Sequence, residues 1–174
     1  MDKKNYDIKF MKKAIHYASV ALERGDFPVG CVITYQKDII STGNRTSSAG
    51  QFSNELDHAE INALKNLGSQ KKTSHINLQQ LTLYSTLEPC LMCFGAILIH
   101  RIPRIVYALE DVMGGGTSLD RSVLPPLYAT HDIEIVHGVC RQDSLHLFKD
   151  FFTNPKNHYL SGTYLANYIN QQSN

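Results

Sequence analysis

The stretch LTLYSTLEPCLMCFGAILIH, from Leu81 to His100, contains a strand and a helix joined at a proline. Leu81 to Thr86 has the β-branched and aromatic content of a buried strand. Pro89 suits a first helical position, so a helix is expected from Pro89 to His100. Its side chains are apolar nearly all round (Leu91, Met92, Phe94, Ala96, Ile97, Leu98, Ile99), which predicts burial against a sheet.

Upstream, Ile8, Met11, Ile15, Ala18 and Leu22 recur at spacings of three and four, predicting an amphipathic helix from Tyr6 to Arg24 that stops at Gly25. Phe27 to Tyr35 and Ile39 to Thr42 read as a hairpin across Gln36-Lys37-Asp38. Thr46 to Asp57 is rich in Ser, Asn and Gly and reads as a loop, followed by a helix through Ala59, Ile61, Ala63, Leu64 and Leu67 that ends at Gly68. A polar loop carrying Lys71 and Lys72 leads back to Leu81.

Downstream, Arg104 to Ala108 is a strand, Gly114 to Gly116 a flexible loop, Pro125-Pro126 a break and Ile133 to Val136 a fifth strand. Helices are expected from Ser144 to Phe152 and from Tyr159 to Ile169. A hairpin followed by alternating helices and strands gives an α/β domain with a mixed sheet and helices on its faces. Residues 1–152 form that domain, and residues 153–174 a C-terminal extension packed on it.

Composition agrees with one domain: of 174 residues, 43% are hydrophobic and 19% charged. A chain this long buries roughly 70% of its unfolded surface, so no metal or disulfide is required merely to hold it together. A net charge of +1 excludes a global basic field. No apolar run reaches membrane-spanning length, and the N-terminus, with Asp2 and Asp7 among lysines, lacks the apolar centre of a signal peptide. The chain reads as cytoplasmic. In that setting the four cysteines, at 31, 90, 93 and 140, favour a metal or redox role over a disulfide framework. Cys31 and Cys140 stand among valines and read as core residues.

Two short motifs carry chemistry: His58-Ala59-Glu60 and Pro89-Cys90-Leu91-Met92-Cys93, each where a helix begins. The spacing of Cys90 and Cys93 puts both sulfurs on one face of a first helical turn. With His58 they make a His-Cys-Cys set suited to tetrahedral zinc with a fourth position open. A water there ionises far more readily than in bulk. Glu60, two residues beyond His58, is not needed as a ligand and is suited to moving protons. The pattern points to hydrolytic addition and elimination at an electron-poor carbon.

These motifs match the signature H-x-E and P-C-x-x-C of the nucleobase deaminases. The sequence resembles the cytidine/deoxycytidylate deaminase superfamily, and within it the bacterial tRNA-specific adenosine deaminases. Phe27-Pro28-Val29-Gly30, Gly43-Asn44-Arg45, Thr86-Leu87-Glu88-Pro89, Glu110-Asp111 to Leu119 and Phe151-Phe152 share that order and spacing over roughly residues 6 to 152. The resemblance implies a three-layer α/β/α sandwich around a five-stranded sheet, one zinc on His58, Cys90 and Cys93, and Glu60 as proton donor and acceptor. It further implies that Asn44 hydrogen-bonds the base, that Val29 packs beside it, and that the protein is a homodimer converting adenosine to inosine in tRNA.

Departures from that branch favour another reading, a deaminase of a free nucleobase, nucleoside or nucleotide such as guanine, cytosine or deoxycytidylate. Arg141 to Asn174 carries three basic and two acidic residues, a weak phosphate footprint. The extension past Phe152 and Asp57 beside His58 also depart from the branch. A zinc-holding RNA-binding module without catalysis is the reading from a different class, and Glu60 argues against it.

Overall fold

The computed structural model describes residues 2–50, 52–69 and 76–173; Lys71 and Lys72 lie outside them. Its centre is a five-stranded sheet in the order β2-β1-β3-β4-β5, built from β1 (Gly30–Tyr35), β2 (Asp38–Asn44), β3 (Leu81–Leu87), β4 (Arg104–Leu109) and β5 (Glu134–Val136). β1 runs antiparallel to both β2 and β3, whereas β3, β4 and β5 are parallel. This is the expected mixed α/β sheet.

Alternation along the strands sorts the helices into outer layers. Val32, Tyr84, Val106 and Ala108 meet α1 (Lys3–Glu23) through Phe10, Met11 and Ala14. Cys31, Ile33, Leu83, Ile105 and Leu109 belong to the other core, with α2 (Ala59–Ser69) and α3 (Leu91–Ile99). Two glycines allow close approach at the end of the hairpin. A Cβ on Gly30 would lie 2.1 Å from the Ala14 carbonyl oxygen, and one on Gly43 would lie 2.2 Å from that of Ala59. Gly30 therefore presses the hairpin on α1, and Gly43 presses it on α2.

The buried stripe of α1 differs from the expected one. Asp7, Phe10, Met11, Ala14, Ala18 and Ala21 are buried, while Ile8, Ile15 and Leu22 sit at its border. Small alanines face the glycine, and Asp7 enters because it has partners. Its carboxylate takes two bonds from Arg104, at 2.7 and 2.8 Å, and one from the Tyr84 hydroxyl at 2.9 Å. This pair links α1 to β3 and β4. Removing one member of such a buried pair costs roughly 3–5 kcal/mol because the other charge is left uncompensated.

Other differences are local. α3 begins at Leu91, with Cys90 as its N-cap in extended conformation, so Pro89 stands before the helix. Leu91, Met92 and Ile99 are exposed, contrary to the all-round burial expected of this helix. Pro125 caps a short helix, α4 (Pro126–Ala129). α5 (Arg141–Thr153) starts three residues earlier than expected, after Cys140 at a φ of 56°. α6 (Tyr164–Gln171) starts at the Thr163 cap, so Tyr159 precedes it. α6 buries Leu165, Ala166 and Ile169. Arg141 and the Tyr168 hydroxyl both bond Glu110 and, against burial, hold its carboxyl down at about 2. No described helix is long and apolar enough to cross a membrane.

Candidate active site

Parallel strands deliver their loops to one end of the sheet, the usual place for an open α/β site. β3 ends in Glu88-Pro89-Cys90 and β4 in Glu110-Asp111 and the glycine loop. The hairpin exit and the start of α2 reach the same end, bringing Val29, Arg45, His58 and Glu60 to it.

There the motifs converge. His58 Nδ1 lies 3.6 Å from Cys90 Sγ and 3.5 Å from Cys93 Sγ. Zinc–nitrogen and zinc–sulfur bonds of about 2.0 and 2.3 Å at a tetrahedral angle separate N from S by about 3.5 Å. All three donor atoms lie within 4.8 Å of one another, so the set fits one tetrahedral ion. Bonds from Cys93 and with His58 bring Cys90 down to about 4 against the effect of burial, while the bond to Cys90 and burial push Cys93 up. Burial lowers His58, but Cys90 and Glu60 outweigh it and hold the imidazole above its ordinary value.

Glu60 is buried at the start of α2. Ser85 donates to its Oε1 at 3.2 Å, and Cys93 Sγ lies 3.6 Å from its Oε2. Burial pushes its carboxyl up, against the opposing effects of the α2 backbone, His58 and Ser85. A carboxyl raised in this way is suited to taking and returning a proton.

The glycine loop expected to be flexible is pinned. Gly116 N–H donates to the Pro89 carbonyl at 2.9 Å, and Gly115 bridges Cys90. The Glu88 carboxylate accepts from the Thr117 hydroxyl at 2.5 Å and from the Thr117 and Asp111 backbone N–H groups. Glu88 thus joins the two loops. A Cβ on Gly115 would lie 2.5 Å from that carboxylate, so the glycine serves a close approach.

A cavity of about 190 Å³ opens beside Glu60 and Cys90. Pockets for drug-sized ligands begin near 300 Å³, so this one suits a single planar ring system. Val29 lines it, with Phe27 and Leu87. Asn44 does not. As the register partner of Gly30 it shares the α1 face and lines a separate cleft with Tyr17 and Val20. In the amide orientation that satisfies both groups, its oxygen accepts from Arg24 at 3.1 and 3.2 Å. The next residue, Arg45, lines the cavity instead.

Tyr159, Leu160 and Leu165 of the C-terminal extension complete the wall. Tyr159 donates to Glu55 at 2.7 Å, and burial with that bond pushes its hydroxyl up to about 12. Phe151, Phe148 and Tyr159 surround Phe27 edge-on, and Phe151 is fully buried in the core. Asp57 holds the preceding loop, accepting from Asn54 at 2.8 Å and pairing with Lys65 at 3.6 Å. Ser85, Glu88, Arg45 and Tyr159 escaped assignment from sequence because no spacing marks them; they are brought here by strand register and by the extension.

Residues 4–109 match the cytidine and deoxycytidylate deaminase zinc-binding region. The chain is 31% identical over 144 residues to a tRNA-specific adenosine deaminase of Streptococcus pyogenes, covering 82% of this chain and 87% of that protein. It is 33% identical over 150 residues to the tRNA-specific adenosine deaminase of Bacillus subtilis, covering 84% and 88%. A structure from work on A-to-I editing by tRNA:A34 deaminases superposes with a TM-score of 0.65 at 31% identity, covering 80% of this chain and 98% of that one. The guanine deaminase of Nitrosomonas europaea, at 18% identity and a TM-score of 0.61 over 81% of each chain, shares the fold.

Proposed function

The chain belongs to the cytidine and deoxycytidylate deaminase family, and from that premise we propose that it converts adenosine to inosine in tRNA, acting in the cytoplasm on a base presented unpaired. The observation that carries this reading is the convergence of Glu60 with the His58-Cys90-Cys93 set beside a cavity sized for one base. The overall likeness to tRNA-specific adenosine deaminases supports the substrate.

We assign His58, Cys90 and Cys93 as the zinc ligands. Zinc held there supplies a water ionised at neutral pH and a positive charge beside the developing negative one. Glu60 takes one proton from the attacking water and passes it to the ring nitrogen as the new C–O bond forms, then takes the second from the resulting hydroxyl and passes it to the amino group, so that the C–N bond breaks and ammonia leaves. Ser85 holds Oε1 and keeps the carboxylate aimed. Val29, Phe27 and Leu87 pack against the base and exclude bulk water.

The second reading, a deaminase of a free base or nucleotide, is favoured by one observation: the extension walls the cavity through Tyr159, Leu160 and Leu165. Mass spectrometry of total tRNA and of a panel of free bases and nucleotides, incubated with zinc-loaded protein, separates the two. Inosine in tRNA, absent with Glu60→Ala, is the expected result. Conversion of a free base with no tRNA product would replace the first reading by the second.

We also read the protein as a homodimer. Leu91 and Ile99 of α3 are 61% and 52% exposed, and Val123 and Leu127 extend the apolar surface beside α4. Such a patch is more than isolated surface residues require. Light scattering is expected to give the mass of two chains; one chain at micromolar concentration would remove this reading.

A further inference from the structure

Tyr159 and Leu160 have a second hollow beside them that the deamination chemistry does not use. They line the cavity next to Glu60 and also a cleft of about 850 Å³, a volume in the range of ligand sites. Its other walls are the turn after α1, the loop residues Ser48 to Gly50 and Ser53, and the start of the extension from Asn154. These walls are firmly built. Asp26 accepts from the Ser48 N–H and hydroxyl at 2.8 and 3.1 Å and from the Ala49 N–H at 3.1 Å. A Cβ on Gly25, at a φ of 80°, would lie 3.7 Å from both Ala49 Cβ and Asn157 Oδ1, so three segments distant in sequence meet there.

The extension brings polar groups with nothing to bind. Asn154 Oδ1 accepts from the Lys156 N–H at 3.0 Å, and Asn157 Nδ2 donates to the Phe151 carbonyl at 3.1 Å. The other amide atoms, Asn154 Nδ2 and Asn157 Oδ1, have no partner among the described residues, and neither do the His158 ring and Lys156 Nζ. Phe52, next to Ser53, is 93% exposed. One exposed ring needs no explanation by itself. Beside free amides and an imidazole, it makes the composition of sites that stack and read unpaired bases. Charge decides which part of a nucleotide the cleft suits. Arg24 is engaged by Asp26 and the Arg45 carbonyl, and Glu23 offsets Lys156. No positive surplus is left to gather several phosphates.

Resting on the tRNA reading, we propose that this cleft binds an unpaired nucleotide flanking the target adenosine. Asn154, Asn157 and His158 take the edge of its base, Phe52 folds over the base's face, and Lys156 meets its phosphate. The extension then serves RNA recognition, and a chain of net charge +1 holds RNA through a base more than through the backbone.

Binding is measured on zinc-loaded Glu60→Ala protein with an RNA hairpin carrying one unpaired loop adenosine. Each loop position flanking that adenosine is made abasic in turn. One position is expected to weaken binding about 5- to 100-fold, the range for losing a stacked base. That loss should shrink to less than about twofold when Phe52→Ala and His158→Ala are added; both side chains are exposed, so the fold should persist, and a thermal melt checks it. Lys156→Ala is expected to lower the slope of log Kd against log salt by about 0.7, one phosphate contact on a single strand. Inosine formation by wild-type protein is followed in the intact hairpin alongside. Inosine with a flat abasic series, or an abasic loss that persists undiminished in the double variant, would overturn the cleft proposal alone. Binding without inosine would sink the tRNA reading while the abasic series still judges the cleft. Neither binding nor inosine would sink both.

Discussion

Glu60→Ala leaves a folded, zinc-loaded protein whose turnover has fallen about a hundredfold to ten-thousandfold, the range for loss of a positioned acid–base group. The upper end is expected because the same carboxylate takes the water's proton and later returns protons to the base. Folding should survive. Glu60 occupies the first turn of α2, and the side chain lost there leaves Ser85 without its partner, a cost of about 1–3 kcal/mol for one unmatched buried group. Zinc content, circular dichroism and steady-state turnover of the same preparation check the prediction. Unchanged turnover would take Glu60 out of the mechanism; loss of zinc together with turnover would make it a ligand instead.

Cys90→Ala is expected to lose the metal. Its sulfur lies 3.6 Å from His58 Nδ1, and its thiol, down at about 4, is the more readily ionised of the pair. Changing a group that merely supports a ligand costs about 10–100-fold in metal affinity, so removing the ligand itself should cost more than a hundredfold and leave no zinc after dialysis against a chelator. The helix should persist, because Cys90 caps α3 in extended backbone and makes no side-chain capping bond. Metal analysis beside a thermal melt separates the effects. Stoichiometric zinc retained by Cys90→Ala would refute the ligand assignment.

Where residue spacing alone determines geometry, the sequence was a sufficient guide. Cys90 and Cys93, three apart at the N-cap and in the first turn of α3, both come within reach of His58, and the β-branched runs at 81–86 and 104–108 form strands. Spacing failed where a partner far along the chain decides. Asp7 stands in the buried stripe of α1 because Arg104, 97 positions away, receives it. Asn44 faces α1 because β2 pairs Gly30 with it, and that register is invisible in a local pattern. The extension's share of the cavity depends on Tyr159 meeting Glu55, 104 positions earlier. Leu91 and Ile99 read as core because periodicity counts apolar residues without saying how many neighbours are available to cover them.

The two glycines of the hairpin divide the cavity into a fixed part and a yielding part. With backbone against backbone at Gly30 and Gly43, Val29 and the start of α2 are preorganised, which lowers the ordering cost of binding on that side. The opposite side, through Glu55, Tyr159 and Leu160, is joined by side chains alone. Residence time should respond to changes at Tyr159, while the geometry of attack, set across the glycines, stays the same.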